Sequence, residues 1–423
     1  MEAKTISLVL FVIAYLLFVA LPKRRSLIAV SAAALLILSR TISFREAFWA
    51  VNWNVMGIFL GTLVVADIFM ESRVPACIAE IIVDKARNTA WAILLICMLT
   101  GFISAFVENV ATVLIVAPIA LSLAKKINLN PINLMIGIAI SSNLQGAATL
   151  IGDPPSMLLG GFAKMDFMDF FFYRGRPSIF FAVELGALAS FVVLYFIFRK
   201  QKEKVSLLAV EKVRSWIPTA ILVILILALA LTSFLDTGFT YMAGVLCMIA
   251  AVVSIVWKKW STKGSIFKGI KALDWDTAFF LIGIFILVGS ITLTGWIEVI
   301  SGFLSRLVGA NLLLGYSLLV IVAVILSGFI DNVPFLAAML PVALSMAKQL
   351  DVNPSLFLFG LLIGASLGGN ITPIGASANI VSCGLLKKEG YEVSFRDFAK
   401  IGLPFTMAAV AAAYLFIWFI WGR

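Results

Sequence analysis

The chain contains no histidine among its 423 residues. Histidine is the usual general base and the commonest metal ligand near neutral pH, so histidine-ligated metal sites, histidine proton relays and Ser-His-Asp hydrolase chemistry are excluded. Cysteine is also scarce. The four cysteines lie far apart and include no CxxC pair. Neither a zinc site nor a disulfide framework is indicated, and we expect no metal, no cofactor and no enzyme activity.

Charged residues are the second scarce class. They make up 13% of the chain against 62% hydrophobic residues, and the mean hydropathy is +1.10, whereas soluble domains carry about 25% charged residues. A soluble fold of this composition would expose very large apolar patches. We therefore predict an all-α, multi-pass protein of the inner (plasma) membrane. The net charge of +10 does not indicate nucleic acid, because the basic residues lie in short loops between apolar runs, as the positive-inside rule predicts.

A membrane-spanning helix needs about 20 apolar residues. Ordinary spans are predicted at eight apolar runs, residues 6–21, 26–39, 54–70, 178–198, 215–233, 239–257, 276–294 and 402–421. Two longer segments, 90–160 and 312–383, are interrupted by Asn, Thr, Gly, Pro and carboxylates. Irregular backbone cannot face lipid, so these two segments are expected to be buried in protein or to line a wet cavity.

The two irregular segments are copies of each other at one constant spacing, which relates Glu108-Asn109-Val110 to Asp331-Asn332-Val333. The same spacing relates Asn130-Pro131 to Asn353-Pro354, Gly146 to Gly369, Thr149 to Thr372 and Gly152 to Gly375. Such self-similarity is the signature of an internal repeat. We predict repeats at 1–198 and 215–423, joined by a cytoplasmic linker at 199–214.

The placement of basic residues predicts that the two repeats are inverted in the membrane. The basic loops at 23–25, 85–87, 125–126 and 199–204 are expected to be cytoplasmic, so the segment 90–124 leaves and re-enters on one side as a re-entrant hairpin that turns near Glu108. Its copy, 312–347, then opens from the other side. Each repeat is expected to hold about five spans, one hairpin and one broken helix.

Inverted repeats with broken helices place the solute near the bilayer midplane, between half-helix ends. The two hairpin tips and the two helix breaks supply Asn and Thr oxygens for a cation and N–H or O–H donors for a hydroxide or oxyanion. One isolated Asn or Thr could merely join two helices, but the same set recurs in both copies. The predicted solute-binding residues are Asn109, Thr112, Asn143, Gly146, Thr149, Asn332, Gly369, Asn370, Thr372, Ser377 and Asn379.

Three carboxylates, Glu108, Asp153 and Asp331, accompany these residues. A charge at the membrane centre costs about 2.5–3.5 kcal/mol or more, and no Lys or Arg is expected in the proposed core to offset it. A proton, Na⁺ or a neutral hydrogen-bonding solute would compensate, whereas a polyanion would be repelled. These three residues are therefore predicted to bind the coupling proton or cation. Alternatively, they are solvated caps at the mouth of the site.

These motifs resemble the ion-transporter superfamily, within it the branch that holds arsenite permeases, NhaD-type sodium–proton antiporters and the melanosomal P protein. The likeness is carried by the tips at 108–118 and 331–334 and the breaks at 146–155 and 368–379. It implies an elevator-type transporter, often a homodimer. Related divalent-anion:sodium symporters carry Ser-Asn-Thr at both tips, and this chain departs from them with Glu-Asn-Val and Asp-Asn-Val.

The predicted function is secondary active transport, most simply arsenite or antimonite efflux coupled to protons. As(OH)₃ is neutral near pH 7, and Asn, Ser and Thr suit it. The alternatives are sodium–proton antiport and a sodium-coupled dicarboxylate or other anion symport, and a channel is a further class. Some arsenite permeases work with a soluble ATPase partner; because this sequence has no GxxxxGK[ST] loop, any nucleotide chemistry would belong to that partner.

Overall fold

The computed structural model describes residues 3–202, 212–235, 239–261, 271, 273–309 and 311–422. These residues are almost entirely α-helical, apart from three short 3₁₀ turns and a small antiparallel hairpin in which Phe172–Tyr173 pairs with Arg176–Pro177. The α-helices, in chain order, are α1 (Ala3–Ala20), α2 (Arg25–Leu38), α3 (Phe44–Ala50), α4 (Trp53–Glu71), α5 (Val74–Lys85), α6 (Thr89–Ser104), α7 (Asn109–Lys126), α8 (Ile132–Gly146), α9 (Pro154–Ala163), α10 (Ile179–Phe198), α11 (Ile217–Thr232), α12 (Met242–Ser261), α13 (Trp275–Leu293), α14 (Trp296–Val308), α15 (Leu312–Ser327), α16 (Asn332–Gln349), α17 (Ser355–Gly368), α18 (Ser377–Lys388) and α19 (Phe395–Trp421).

Each of the eight predicted spans is a helix whose ends lie within a few residues of the predicted ones, apart from an earlier start of the last helix. Seven helices of the described chain, α1, α4, α7, α10, α12, α13 and α19, are long and apolar enough to cross a membrane. The helix α2 is shorter, at 14 residues. The prediction of an all-α, multi-pass membrane protein is confirmed.

The order of helices in the first half recurs in the second half. Helices α6 to α9 begin at Thr89, Asn109, Ile132 and Pro154, and helices α15 to α18 begin at the positions that the sequence repeat relates to them. Both predicted helix breaks are present, the first between α8 and α9, the second between α17 and α18. The inversion of the repeats and their boundaries remain predictions. Most of the predicted linker 199–214 lies outside the described residues, which omit 203–211.

The two halves pack crosswise through small residues. A Cβ on Gly61 of α4 would collide with the backbone of Cys247 of α12, and a Cβ on Gly283 of α13 would lie 2.6 Å from the carbonyl carbon of Ala29 of α2. Such residues let helix backbones approach closely in a membrane, where packing rather than hydrophobic burial holds helices together. The two halves thus form two tight helix pairs, α4 with α12 and α2 with α13, and each half contributes one helix to each pair.

Burial is most complete in the helices that carry the breaks. Every residue of α17 is buried, as is most of α8, whereas α1 and α11 expose many large apolar side chains to the surroundings. The helices that carry the polar breaks are therefore enclosed by protein, because lipid offers no hydrogen-bond partner to irregular backbone. The regular spans α4 and α13 are also mostly buried, whereas α1 and α11 belong to the exterior.

Candidate functional site

Six helices begin at one small cavity of about 40 Å³. They are α2, α7, α9, α13, α16 and α18, three from each half of the chain. A water molecule needs about 10–15 Å³ measured this way, so the cavity has room for about three or four waters. The polar residues that line it are Arg25, Glu108, Asn109, Asn143, Asp153, Asp274, Thr277, Asp331, Asn332 and Ser377.

Four of these helices are capped by carboxylates. Glu108 accepts a hydrogen bond from the backbone N–H of Ala111 at 2.9 Å, and Asp331 accepts one from Val333 at 3.2 Å. The starts of α9 and α13 are capped in the same way by Asp153 and Asp274. A helix N-terminus carries unsatisfied N–H groups and a partial positive charge. The caps therefore compensate part of the cost of placing these carboxylates inside the protein.

Arg25 is the basic residue of the cavity. Its Nη1 forms an ion pair with Asp331, and its Nη2 donates to Thr277 Oγ1 at 2.9 Å. The expectation that no Lys or Arg lies in the core is therefore wrong. The charge pattern of Lys23-Arg24-Arg25 is that of a solvated loop, but Arg25 is the first residue of α2 and its side chain is only 17% exposed.

Three buried asparagines join the two helix breaks. Asn143, near the end of α8, donates from Nδ2 to Asn370 Oδ1 at 3.0 Å and to Asn379 Oδ1 at 2.8 Å. Asn379 in turn donates to the carbonyls of Gly369 and Thr372, both at 2.9 Å. A side chain of the first half thus fixes both the irregular turn and the new helix of the second half.

The structure brings half of the predicted site residues to the cavity wall. These are Glu108, Asn109, Asn143, Asp153, Asp331, Asn332 and Ser377. The others lie behind it, where their described contacts are to protein: Thr112, Gly146, Thr149, Gly369, Asn370, Thr372 and Asn379.

The hydroxyls of Thr149 and Thr372 donate to backbone carbonyls, those of Ala105 and Gly328. Gly146 packs against the Asn109 amide so closely that a Cβ would collide with it. These contacts give the three residues a structural role beside any role toward a solute.

Two buried polar atoms beside the cavity have no hydrogen-bond partner among the described residues, Asp153 Oδ2 and Asn370 Nδ2. The other oxygen of Asp153 accepts from Ser156 N at 2.9 Å and Ser156 Oγ at 2.8 Å, and the Asn109 amide is near enough to interact electrostatically with this carboxylate. Asp153 is 1% exposed. An unpaired buried acceptor is costly, which makes Oδ2 an atom available to a proton, a cation or a hydroxyl group.

Arg25, Asp274 and Thr277 were not among the predicted site residues. A signal for Asp274 is present in the sequence, because it precedes Trp275 as Asn52 precedes Trp53, and the two pairs are related by nearly the same spacing as the repeats. Both side chains cap the helix that follows. For Arg25 the charge pattern points to a loop, and its pairing with a residue 306 positions away could not be inferred from the local sequence.

The chain is similar to proteins that are named as transporters. The family model described as "Citrate transporter" matches residues 15–260 and 245–423. An uncharacterised transporter of Mycobacterium tuberculosis is 26% identical, covering 98% of this chain and 97% of that protein. The P protein of Sus scrofa is 25% identical, covering 91% of this chain and 55% of that protein.

The crystal structure of the YdaH transporter of Alcanivorax borkumensis has a similar fold. The TM-score is 0.63 at 13% identity, covering 89% of this chain and 88% of that one.

Proposed function

The chain belongs to the citrate transporter family, and from that premise we propose that it is a secondary active transporter that couples proton movement to the movement of a small solute without net negative charge. Arsenite or antimonite efflux is the leading case. The observation that carries the proposal is the near balance of charge at the cavity. Six helix N-termini contribute roughly +0.5 each, about +3 together. Arg25 brings this to about +4, which would balance the four carboxylates when all of them are ionised.

A balanced site favours a neutral solute rich in hydrogen-bonding groups. As(OH)₃ has three hydroxyls that can both donate and accept. The wall offers carboxylate acceptors at Glu108 and Asp153, the Asn109 and Asn332 amides, and the Ser377 hydroxyl. Binding a proton at one carboxylate would upset this balance, which couples the protonation state to solute affinity.

Citrate, the solute in the family's name, is a less suitable candidate in this conformation. Its carboxylates would face four carboxylates of the protein, and Arg25 is the one basic residue among the described residues of the cavity wall. The four are Glu108, Asp153, Asp274 and Asp331. A cavity of about 40 Å³ holds only about three or four waters, which is too small for a tricarboxylate. Transport of such an anion would require both a wider conformation and bound cations or protons.

Sodium–proton antiport is the second candidate, favoured by the unpartnered Asp153 Oδ2. This oxygen, the Glu108 carboxylate and the Asn109 amide all border the cavity. Carboxylate and amide oxygens are ligands for hard cations, and the same carboxylates could carry the proton in exchange. In this case the coupling residues and the solute-binding residues would be the same groups.

The resemblance to the ion-transporter superfamily also supports proposals about assembly and movement. We expect a homodimer with a fixed scaffold. The helices that carry the tips and breaks would move as an elevator across it. A soluble ATPase partner is a further option. Such a partner would cosediment with membranes that contain this protein.

Transport in proteoliposomes tests the proposal. Purified protein is reconstituted, a proton gradient is imposed, and uptake of arsenite is compared with proton flux on addition of Na⁺. Arsenite movement driven by the gradient without Na⁺ would support the leading case, and proton flux triggered by Na⁺ alone would support antiport. If neither solute moves and neither changes the proton flux, both solutes are removed from the proposal. A solute that moves only down its own gradient and never accumulates against it would indicate a channel.

A further inference from the structure

We propose that Arg25 is a built-in cation that occupies the charge site of Asp331, so that the transported proton or cation is left to Glu108 and Asp153 of the first half. This inference rests on the proposed coupling, and it assigns the binding of the coupling ion to Glu108 and Asp153. It makes the two halves unequal in chemistry although their helices correspond.

The guanidinium of Arg25 is held on all of its nitrogens. Besides the ion pair from Nη1 to Asp331, Nη2 donates to Thr277 Oγ1 at 2.9 Å. Nε lies 3.5 Å from Asp276 Oδ2. The guanidinium carbon also lies 5.3 Å from the centre of the Phe280 ring. A planar guanidinium fixed in this way is a directed charge rather than a mobile one.

The groups that hold Arg25 come from a part of the molecule distinct from Asp331. Arg25 begins α2, and Asp276, Thr277 and Phe280 belong to α13. These two helices are packed tightly where Gly283 meets Ala29. Asp331 caps α16 at the second tip. The ion pair therefore joins the α2–α13 pair to a tip that borders the cavity, and it supplies a positive charge where an external cation would otherwise bind.

The first half has no equivalent of this arrangement. Glu108 takes the place of Asp331, and the packing of Gly61 on Cys247 corresponds to that of Gly283 on Ala29. Counting back four residues from Cys247, as from Ala29 to Arg25, gives Ala243, which has no charge. Among the described residues, no Lys or Arg other than Arg25 lines the cavity.

The second difference concerns the helix starts after the breaks. Asp153 caps α9, but the corresponding cap position of α18 is Ala376. Glu108 and Asp153 thus have no basic partner among the described residues, whereas Asp331 is ion-paired with Arg25, which comes from α2 of the first half. An uncompensated buried charge is costly. A proton or cation should therefore bind beside Glu108 and Asp153, where Oδ2 of Asp153 is unpartnered among the described residues.

The test uses the thermal stability of the purified full-length protein, measured as Tm while Na⁺ is titrated at constant ionic strength and while pH is lowered at fixed Na⁺. The titratable and charged groups that face Asp331 are Arg25, Asp274, Asp276, Glu108 and Asp153. Wild-type Tm should rise with Na⁺ or with protons, and D153N should remove most of this rise. D331N should leave it in place.

Removal of Arg25 should create a second ion site. R25Q should have a lower Tm than wild type and should gain an added rise with Na⁺ or with acidification, because Asp331 then needs an external charge. The double variant R25Q/D331N should lose this added rise, and R25K, which keeps the charge, should resemble wild type. Arg24 is exposed, so R24Q is the matched control and should behave as wild type.

Several results would overturn the inference. It is wrong if R25Q keeps the wild-type response to both ions, or if D331N removes the wild-type response while D153N does not. If R25Q fails to fold, the comparison of D331N with D153N still decides. Since Tm does not depend on transport, a protein that moves neither arsenite nor Na⁺ could still pass this test, which separates failure of the inference from failure of the proposed function.

Discussion

Thr149 and Thr372 make the same hydrogen bond in the two halves of the chain. The Thr149 hydroxyl donates to the carbonyl of Ala105, 44 residues earlier, and the Thr372 hydroxyl donates to the carbonyl of Gly328, also 44 residues earlier. Each bond ties a helix break to the end of the preceding hairpin's first helix. The duplication is thus preserved in single contacts that shape the breaks, while Arg25 and Ala376 mark where the halves have diverged.

These two hydroxyls should matter for stability. Thr149→Val or Thr372→Val keeps the side-chain shape but leaves a buried carbonyl without its donor, which costs about 1–3 kcal/mol. We expect a lower Tm in each variant, measured by differential scanning fluorimetry. The matched controls are Thr149→Ser and Thr372→Ser, which retain the hydroxyl. A valine variant with wild-type Tm and lost transport would instead assign the hydroxyl to the solute.

Asn143 is expected to be intolerant of exchange for aspartate. Asn143→Asp replaces the amide donor by an acceptor that faces the oxygens of Asn370 and Asn379, so two hydrogen bonds become two repulsive contacts. Loss of two such bonds costs about 1–3 kcal/mol before the added charge is counted. The measurement is Tm together with proteoliposome flux. Asn143→Asp protein with wild-type Tm and flux would show that this cluster does not hold the breaks together.

The sequence is enough to predict both helix breaks and the turn near Glu108, because Gly and Pro act locally. It cannot show whether a polar side chain faces the cavity or a backbone carbonyl. Thr149 and Asn109 look equally suited to a solute in the sequence, yet their contacts differ. The pairing of Arg25 with Asp331 depends on how α2 meets α16, which no local pattern encodes.

Gly146 should be essential for the geometry of the first tip. A Cβ there would collide with the amide of Asn109, which also accepts a hydrogen bond from Ser104 Oγ at 2.6 Å. We expect Gly146→Ala to displace this amide and to lower flux at least tenfold in the proteoliposome assay. Gly384→Ala is the control, since nothing lies within 4 Å of a Cβ at that helical position. It should keep flux and gain about 0.5–1 kcal/mol.

The two tip asparagines should respond differently to removal. Asn332→Ala is expected to abolish transport with an unchanged Tm, because Asn332 lines the cavity. Asn109→Ala should abolish transport and also lower Tm, because the Ser104 hydroxyl loses an acceptor. Flux and Tm are measured on the same preparations. Wild-type flux in both variants would remove the tips from the transport site.

The two carboxylate oxygens of Asp153 should have different roles, one structural and one in coupling. Its Oδ1 caps α9, and its Oδ2 has no partner among the described residues. Asp153→Asn can keep an oxygen for the cap while removing the charge, so we expect near wild-type Tm but solute movement that no longer responds to the proton gradient.

Asp153→Ala loses the cap as well, which should cost a further 0.5–2 kcal/mol, or about 1 kcal/mol in a typical helix. The start of α18 forms without any side-chain cap at Ala376, so this variant should still fold. Equal Tm in the two variants would mean that the cap contributes nothing. Full proton coupling in Asp153→Asn would leave Glu108 as the carboxylate of the first half that carries the ion.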